Sequence, residues 1–461
     1  MAVADADELP PPARVQAHHG PVGLLGAIGL VAGSMVGSGI FLLPVSLGAI
    51  GSISILGWIA ATAAALAVAG MFAWLAGAAP QAKGLPGYVE AGLGPVFGVQ
   101  TATAYWVGCW TGMVPIAMAV AGAVGYLAPA LAGPAPRLML TLASIWLSVA
   151  AAWIGPRAVA RVEGATLAVG LAPVAIAATL GWLAFHPSLF FAAWNPKGLS
   201  LPAAVGPSAL TAFFAFLGVE SAAATAGVVR DPARNVGRAS LIGVVVVAAL
   251  YIGACCVLMG ILPAEALARS SAPFAEAGQA VLGLGLAGAI AVCALLRAQG
   301  CLTGWVLVTS ETSRSGADAG VFPRLFRTRP GERASAINLL ATGGLMTLVA
   351  VGTASPSLSQ QFSTLADVSV LLSLYSYALA GGSLIRLSGG LTPARRWPAR
   401  MTALAAIAAS LVLIASGKPI ELAFCGGPVA AAALLYLWLR RRQSAGVRPK
   451  LGGRDAEGRS L

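Results

Sequence analysis

Apolar segments long enough to cross a bilayer recur from one end of this chain to the other, and they constrain its fold more than any motif. A helix needs about 20 mainly apolar residues to span the hydrocarbon core. Hydrophobic residues make up 58% of the 461 positions and charged residues only 10%. Because lipid offers no hydrogen-bond partner to the backbone, segments of this length are expected to be helical. The sequence therefore predicts an all-α integral membrane protein.

The polar residues exclude several classes of protein. The formal net charge is +12, but the basic residues lie in the gaps between apolar segments, which argues against nucleic-acid binding and for a role in membrane topology. No HExxH motif, nucleophile elbow or pair of catalytic carboxylates is present, so an enzyme is not expected. All six cysteines lie inside apolar segments without metal-ligand spacing, so we expect no metal and no other cofactor. They are Cys109, Cys255, Cys256, Cys293, Cys301 and Cys425.

Twelve transmembrane helices account for the sequence. The gaps between them are short, so they are expected to form one domain over 23–440. A cytoplasmic tail over 1–22 precedes this domain, and a basic cytoplasmic tail over 441–461 follows it. The spans are predicted at 23–49, 52–77, 92–128, 137–155, 160–185, 203–228, 239–263, 278–312, 335–353, 361–386, 398–416 and 420–439.

Lysine and arginine are distributed unequally between the two sides of these spans. If the N-terminus is cytoplasmic, most basic residues fall on that side. They include Arg14, Lys83, Arg157, Arg161, Arg230, Arg234, Arg238, Arg314, Arg386, Arg400 and the cluster that begins at Arg440. The opposite side receives only Arg137, Lys197, Arg269 and Lys418. The positive-inside rule then predicts a multi-pass bacterial inner-membrane protein with both termini in the cytoplasm.

The first and sixth predicted spans are interrupted near their centres. Residues 32–41 contain three glycines and two serines, and 213–221 contain Gly218 and Glu220. Glycine disfavours helix and leaves the backbone accessible. Freed backbone groups at membrane depth are tolerated where they line a cavity, although small residues can also form a helix-packing face. Two broken helices that each open a five-span half favour the cavity and a five-plus-five inverted repeat, as in secondary transporters. Repeat one covers about 23–185, repeat two about 203–386, and two further spans lie within 398–440.

Three residues inside the spans could carry function. Glu220 is costly to place at mid-bilayer and is expected to face the interior, where it either takes up and releases a proton or accepts hydrogen bonds from freed backbone. Trp305 suits a platform for a cation, although a core role is the simpler interpretation. Arg297 is expected to pair with Asp367, and a role in drawing a substrate carboxylate inward is the second interpretation.

Several motifs together resemble the basic amino acid/polyamine antiporter family of the amino acid–polyamine–organocation superfamily. The bacterial arginine/agmatine antiporter is the nearest likeness, and the putrescine/ornithine antiporter comes next. The resemblance runs from about Gly23 to the tenth span. It is carried by 33–41 (GSMVGSGIF), 87–88 (GY), 105–106 (YW), 192–196 (AAWNP), 216–222 (FLGVESA), 229–236 (VRDPARNV) and 304–305 (GW).

The resemblance implies a substrate site and a gate. Met35, Ser38 and Gly39 would hold the carboxylate and α-amino end of an amino acid, and Trp305 would stack on its distal cation. The pocket would be completed by Gly108, Cys109, Met113, Phe214, Leu217 and Ser369. Tyr105, Glu220 and Tyr377 would form an outer gate with Glu220 as pH sensor, and Tyr88 matches an aromatic residue on the cytoplasmic side.

Two departures from the arginine/agmatine pattern bear on the substrate. Met113 stands where that pattern has Asn, which removes a side-chain partner for a guanidinium. Phe214 stands where it has a gating Trp, which removes an indole N–H. Both substitutions keep the family and leave the substrate pair open.

The expected function is exchange of a basic amino acid for its decarboxylated amine, arginine and agmatine by resemblance, through alternating access. The partners would be this small-molecule substrate and the lipid bilayer, and assembly as a homodimer is left open. The alternatives are a proton-coupled importer of other amino acids and an ornithine/polyamine exchanger. A substrate-sensing receptor of the same fold is disfavoured by the short C-terminal tail.

Overall fold

The computed structural model describes residues 22–37, 39–82, 84–220, 229–318, 321–322, 324–328, 335–355 and 357–444. The two predicted tails lie largely outside these residues. Within this part of the chain the fold is all-helical, apart from one isolated parallel bridge between Val22 and Val229. The helices are α1 Leu24–Met35, α2 Leu43–Gly48, α3 Ile55–Ala78, α4 Gly84–Leu93, α5 Pro95–Leu127, α6 Pro134–Ile154, α7 Pro156–Thr179, α8 Pro187–Ala192, α9 Leu201–Phe213, α10 Pro232–Ile261, α11 Ala264–Arg269, α12 Pro273–Leu282, α13 Leu284–Asp318, α14 Ala336–Gly352, α15 Leu358–Leu387, α16 Pro393–Ala415 and α17 Pro419–Ser444.

Eight helical segments of the described chain are long and apolar enough to cross a membrane. They are Ser52–Ala78, Pro95–Leu127, Pro134–Ile154, Pro156–Ala184, Arg234–Ile261, Leu284–Asp318, Leu358–Gly390 and Pro393–Ala415. Four shorter apolar segments, Leu24–Met35, Leu201–Phe216, Ala336–Gly352 and Pro419–Leu434, lie among them. The prediction of a helical integral membrane protein is therefore confirmed.

At two junctions the structure separates helices that the predicted spans overlap. The third span was expected from 92, but a separate helix, α4, ends at Leu93 before α5 begins at Pro95. The eighth span was expected from 278, but the chain breaks between α12 and α13 at Gly283, where φ is +83°. This left-handed backbone conformation strongly favours glycine. Apolar composition continues through both junctions, so hydrophobicity alone does not locate them.

Helices α5 and α15 lie at the centre of the protein, and α7 and α16 lie at its periphery. The apolar windows of α5 and α15 are 83% and 72% buried, against 17% for α7 and 28% for α16. The two central helices pack against each other, and α13 packs against α5 and α7. Apolar side chains that face outward on the peripheral helices are those that lipid would solvate. The central helices therefore carry the side chains that can form an internal site.

Both predicted interruptions are present. Helix α1 ends at Met35 with a tight turn in which Gly37 N donates to the carbonyl of Met35, and the chain resumes as a 3₁₀ turn at Gly39–Phe41. Helix α9 ends at Phe213, passes through a 3₁₀ turn and becomes extended at Leu217. Gly218 follows with φ +101°, a conformation that disfavours any residue with a Cβ. Two stretches of irregular backbone therefore face each other inside the helical bundle.

Candidate functional site

A cavity lies between the two breaks. Its volume is about 50 Å³. Five helices (α1, α5, α10, α13 and α15) and the two interruptions supply its walls. The lining residues are Ser34, Met35, Gly37, Gly39, Ile40, Tyr105, Cys109, Gly112, Met113, Ile116, Phe214, Ala215, Leu217, Glu220, Tyr251, Cys301, Trp305, Ser369 and Ser373. A mainly apolar pocket with a few convergent polar groups is the arrangement that binds and orients a small molecule.

Hydrogen bonds connect the two interruptions and fix their backbone. The hydroxyl of Ser34 donates to the carbonyls of Val31 (2.8 Å) and Gly218 (3.2 Å), which joins the first break to the second. The hydroxyl of Tyr251 on α10 donates to the carbonyl of Met35 at 3.2 Å. Carbonyl groups left free at the end of a helix are costly when buried without a donor. These side chains therefore stabilise an irregular backbone within the protein.

Aromatic side chains lie on two sides of the cavity. Trp305 is half-buried on α13, with its surface in the cavity lining. Phe214 is buried and packs edge-on against Phe362 at 5.9 Å between ring centroids. A Cβ added at Gly39 would lie 2.8 Å from Cε1 of Phe214. Glycine at this position is therefore what admits the ring against the first break.

A carboxylate with three donors lies at the edge of the cavity. Tyr105 donates to Oε1 of Glu220 at 2.7 Å, and Tyr377 donates to Oε2 at 2.6 Å. The backbone N–H of Gly218 donates to Oε2 at 3.1 Å. The three residues Tyr105, Glu220 and Tyr377, here called the Glu220 triad, join α5, the second break and α15. Charge-assisted hydrogen bonds of this kind are stronger than neutral ones, so the triad holds these three elements together.

The Glu220 triad and Phe214 lie on opposite sides of the cavity. The first break runs from Ser34, beside Gly218, to Gly39, beside Phe214. The triad is therefore on the side at which α1 begins. An outer gate at the triad is inconsistent with a cytoplasmic N-terminus, because both then belong to the same side. With the predicted orientation the triad would face the cytoplasm and Phe214 the outside, so the outer gate and that orientation cannot both hold.

Comparison with known proteins identifies the family. The sequence profile of the amino acid permease family matches residues 22–433. This chain belongs to that family. The permease is 32% identical over 375 residues to the cadaverine/lysine antiporter of Escherichia coli strain K12, covering 80% of the chain and 84% of the antiporter. It is 30% identical over 360 residues to the putrescine transporter PotE of Haemophilus influenzae, covering 76% of the chain and 81% of PotE.

These relatives establish the general class of the permease. It is a multi-pass membrane transporter of the basic amino acid/polyamine antiporter family, and it is not an enzyme. Small-molecule amino acids or amines are substrates consistent with that family. The PotE protein of Escherichia coli strain K12, at 30% identity over 370 residues, is a further relative of the same kind.

Most of the residues singled out from sequence lie together in the permease. Met35, Gly39, Cys109, Met113, Phe214, Leu217, Trp305, Ser369, Tyr105 and Glu220 all line the cavity. Gly108 contributes its carbonyl, which accepts a 2.7 Å hydrogen bond from Ser369. Tyr377 reaches the site through Glu220, whereas Tyr88 is buried on α4 and is not part of the lining. Ser38 lies outside the described residues.

Some lining residues were not singled out from sequence. They are Ser34, Gly37, Ile40, Gly112, Ile116, Ala215, Tyr251, Cys301 and Ser373. Ser34 and Gly37 belong to the glycine-rich motif and could have been included on that basis. Tyr251 carries no local signal, because it lies in a continuous apolar helix and reaches the break only through the packing of α10.

The expected pairing of Arg297 with Asp367 is wrong. Arg297 on α13 donates from Nε to the carbonyl of Val36 at 3.0 Å, and its Nη2 donates to the same oxygen. Asp367 instead accepts a hydrogen bond from Thr211 at 2.8 Å and lies 3.9 Å from Nζ of Lys418. Arg297 and Asp367 lie at similar predicted depths in the membrane, but α13 and α15 direct their side chains toward different neighbours.

Proposed function

We propose that the permease exchanges a basic amino acid for its decarboxylated amine across the bacterial inner membrane by alternating access. The observation that carries this proposal is the cavity itself, in which an indole and a carboxylate face a space between two interrupted helices. A cation on one end of the substrate suits Trp305 and Glu220, since both attract positive charge. The N-terminal ends of half-helices attract negative charge, which suits a carboxylate on the other end.

The substrate residues of this proposal are those that line or support the cavity. Met35, Gly39 and Ser38 would bind the amino-acid end, although Ser38 lies outside the described residues. Trp305 would stack on the distal cation, with the pocket completed by Gly108, Cys109, Met113, Phe214, Leu217 and Ser369. The Glu220 triad and Phe214 would close the two sides in turn, and Tyr88 would act on the cytoplasmic route.

The cavity wall bears on the choice of substrate pair. Met113 presents a thioether, so this wall offers no side-chain amide to a planar guanidinium. This favours a primary ammonium group, and the relative named cadaverine/lysine antiporter supports the same choice. We therefore place lysine and cadaverine ahead of arginine and agmatine. Ornithine and putrescine form the next pair, because PotE is named a putrescine transporter.

The architecture belongs to the same proposal. We propose twelve spans, with the eight long helices completed by the four shorter apolar segments. The two interrupted helices would each open a five-span half of opposite topology. Both termini would then lie in the cytoplasm, as the distribution of lysine and arginine favours.

Counterflow in proteoliposomes tests the exchange. Vesicles loaded with lysine, arginine, ornithine or no amino acid are offered labelled cadaverine, agmatine or putrescine outside. Exchange predicts uptake only into loaded vesicles, fastest for the lysine–cadaverine pair. Uptake into empty vesicles driven by a pH gradient alone would instead establish proton-coupled import, which the position of a carboxylate at the cavity edge makes the second candidate.

A further inference from the structure

A second cavity lies at one end of the helical bundle, between α5, α6 and the junction of α14 with α15. Its volume is about 280 Å³, against about 50 Å³ for the cavity between the two breaks. The side chains that matter for the argument are Met118, Arg137, Leu138, Thr141, Ala354 and Gln361. Among the described residues the two cavities share none of their lining. The proposed transport function therefore leaves this second cavity without a role.

The second cavity lies at the end of the bundle beyond Phe214. A Cβ at Gly112 on α5 would lie 3.4 Å from the Phe214 ring, and α5 continues from there to Leu127. The lining residue Met118 is 1% exposed. It precedes the end of α5 by nine residues, which is about 13 Å along a helix axis. The second cavity therefore reaches deep into the leaflet on the Phe214 side, which is the outer leaflet in the proposed orientation.

Unequal helix lengths produce the second cavity. Helix α14 packs on α6 at Gly343, where an added Cβ would lie 3.4 Å from Trp146. Toward the Phe214 side, α14 ends at Gly352, nine residues or about 13 Å from Gly343. In the same direction α6 extends twelve residues beyond Trp146 to Pro134, or about 18 Å. The shorter α14 leaves a gap beside the first turns of α6, and lipid adapts to a short span by moving its headgroups inward.

Arg137 carries the charge of the second cavity. Its Nη2 donates to the carbonyl of Ala132 at 2.9 Å, which fixes the guanidinium at the start of α6. No carboxylate of the described ranges forms an ion pair with it. Thr141 lies one turn further along the same face, where its hydroxyl donates to the Arg137 carbonyl at 2.9 Å. The guanidinium therefore keeps N–H donors for an anion, and its planar fork matches the geometry of a phosphate.

Gln361 on α15 supplies an acceptor to the same cavity. Its amide NH₂ donates to the carbonyl of Ala350 and to the hydroxyl of Thr353, both at 3.2 Å. These two bonds join α15 to the end of α14 and occupy both amide hydrogens. The amide oxygen is then left to accept a hydrogen bond from a ligand. A ligand with an anion at one point and an N–H or O–H donor at another would satisfy Arg137 and Gln361 together.

Apolar side chains surround these polar groups. Leu138 and Met118 line the cavity beside Arg137. Next to it, Met139 on α6 and Leu348 on α14 are each 70% exposed, as expected of faces that lipid solvates. A ligand that fits this arrangement has a charged, hydrogen-bonding head and an apolar body. Charge complementarity and the flanking lipid-exposed faces together favour a phospholipid over a soluble anion.

We propose that the second cavity binds the headgroup of one phospholipid of the outer leaflet. The phosphodiester accepts hydrogen bonds from Arg137, and the ammonium or hydroxyl of the headgroup donates to Gln361. The first carbons of the acyl chains pack on Leu138 and Met118. The bound lipid fills the gap left by the short α14 and joins α6 to the junction of α14 with α15.

Thermal unfolding and native mass spectrometry of the delipidated, purified permease test the proposal. Dioleoyl phosphatidylethanolamine, phosphatidylglycerol or phosphatidylcholine is added to the detergent, and inorganic phosphate is added in a separate series. We expect the first two lipids to raise the Tm most, because a ligand that binds the folded state stabilises it and choline offers no N–H or O–H donor. Arg137→Gln should weaken binding of both lipids about tenfold or more, since it removes a charged donor. Arg269→Gln is the matched control, at an exposed arginine of α11 that does not line the cavity.

A second variant tests the cavity without changing its charge. Ala354 is exposed at the cavity wall, so Ala354→Trp should fill the space and reduce lipid retention while Arg137 stays in place. Equal lipid retention by wild type, Arg137→Gln and Ala354→Trp would overturn the proposal. Stabilisation by inorganic phosphate as large as that by the lipids would overturn it in favour of a soluble anion. If Arg137→Gln does not fold, the comparison of Ala354→Trp with wild type decides. Neither measurement depends on exchange, so the proposed function is tested separately.

Discussion

Tyr377 donates a 2.6 Å hydrogen bond to Glu220, a residue 157 positions earlier in the chain. The other carboxylate oxygen accepts from Tyr105. One acidic side chain in an irregular segment therefore connects two helices that cross the whole protein. Under the proposed alternating access, we expect this contact to break and reform as the two sides of the cavity open in turn. The Glu220 triad is the connection that such a movement would have to release.

Glu220→Gln should weaken this connection and change exchange more than stability. The neutral amide has one acceptor oxygen and an NH₂ donor that faces a tyrosine hydroxyl, so one tyrosine loses its acceptor and no hydrogen bond of the triad stays charge-assisted. A loss of about 1.5–3 kcal/mol corresponds to a rate or affinity change of about tenfold or more. If Glu220 senses pH, the variant should also show a flatter pH profile of exchange between acidic and neutral conditions. Both are measured by counterflow at a series of pH values.

The control for this variant is Glu90→Gln on α4, which makes the same chemical change at an exposed carboxylate. It should keep both the rate and the pH profile of the wild type. A Glu220→Gln protein whose profile coincides with that of wild type would show that pH is sensed elsewhere.

Trp305→Ala should impair binding of the distal cation. A desolvated cation–π contact contributes about 2 kcal/mol, so the KM for the amine substrate should rise by about 30-fold. Trp305→Phe keeps an aromatic face, so its KM should lie between those of the wild type and Trp305→Ala. Trp397, which is 68% exposed on α16, provides the control, because its replacement by alanine removes an indole far from the cavity. A wild-type KM in Trp305→Ala would exclude the platform role.

The sequence was most informative where the composition of a short segment differs from that of the apolar span around it. Glycines and serines inside an apolar span predicted the first break, and Gly218 beside Glu220 predicted the second. These signals are local, since backbone freedom and the cost of a buried charge depend on the residue itself. Part of the cavity lining followed from the family resemblance, at the two breaks and at positions such as Cys109 and Trp305 on other helices.

Contacts set by the rotation and depth of packed helices were not predicted. Arg297 was assigned to Asp367 on depth alone, yet its partner is the carbonyl of Val36. A backbone carbonyl has no sequence signature, so no residue pattern points to it. Tyr251 escaped notice for the same reason. The side of the cavity that holds the Glu220 triad also became clear only from the contacts of Ser34 and Gly39 along the first break.

Gly39→Ala should disrupt the site by a steric route. The added Cβ would lie 2.8 and 2.9 Å from two ring atoms of Phe214, closer than packed atoms tolerate. Overpacking of this kind costs about 1–3 kcal/mol or displaces the ring. We expect loss of most exchange activity, measured by counterflow, and partial recovery in the double variant with Phe214→Leu. Gly29→Ala on α1 is the control, since no atom lies within 4 Å of its added Cβ. Absence of recovery in the double variant would place the defect in the backbone.

Lys418→Met should destabilise the permease without touching the cavity. Nζ of Lys418 lies 2.7 Å from Glu421, which is completely buried, and 3.9 Å from Asp367. Loss of the cation leaves two buried carboxylates close together, which typically costs about 3–5 kcal/mol. Because the Lys418 side chain is 58% exposed, solvent reduces the expected loss in the free energy of unfolding to about 1–3 kcal/mol. The Tm in detergent should fall accordingly, and Lys418→Arg should restore it. Lys197→Met, at an exposed lysine, should leave the Tm unchanged. An equal fall in Tm for Lys418→Met and Lys197→Met would refute the role of the buried carboxylates.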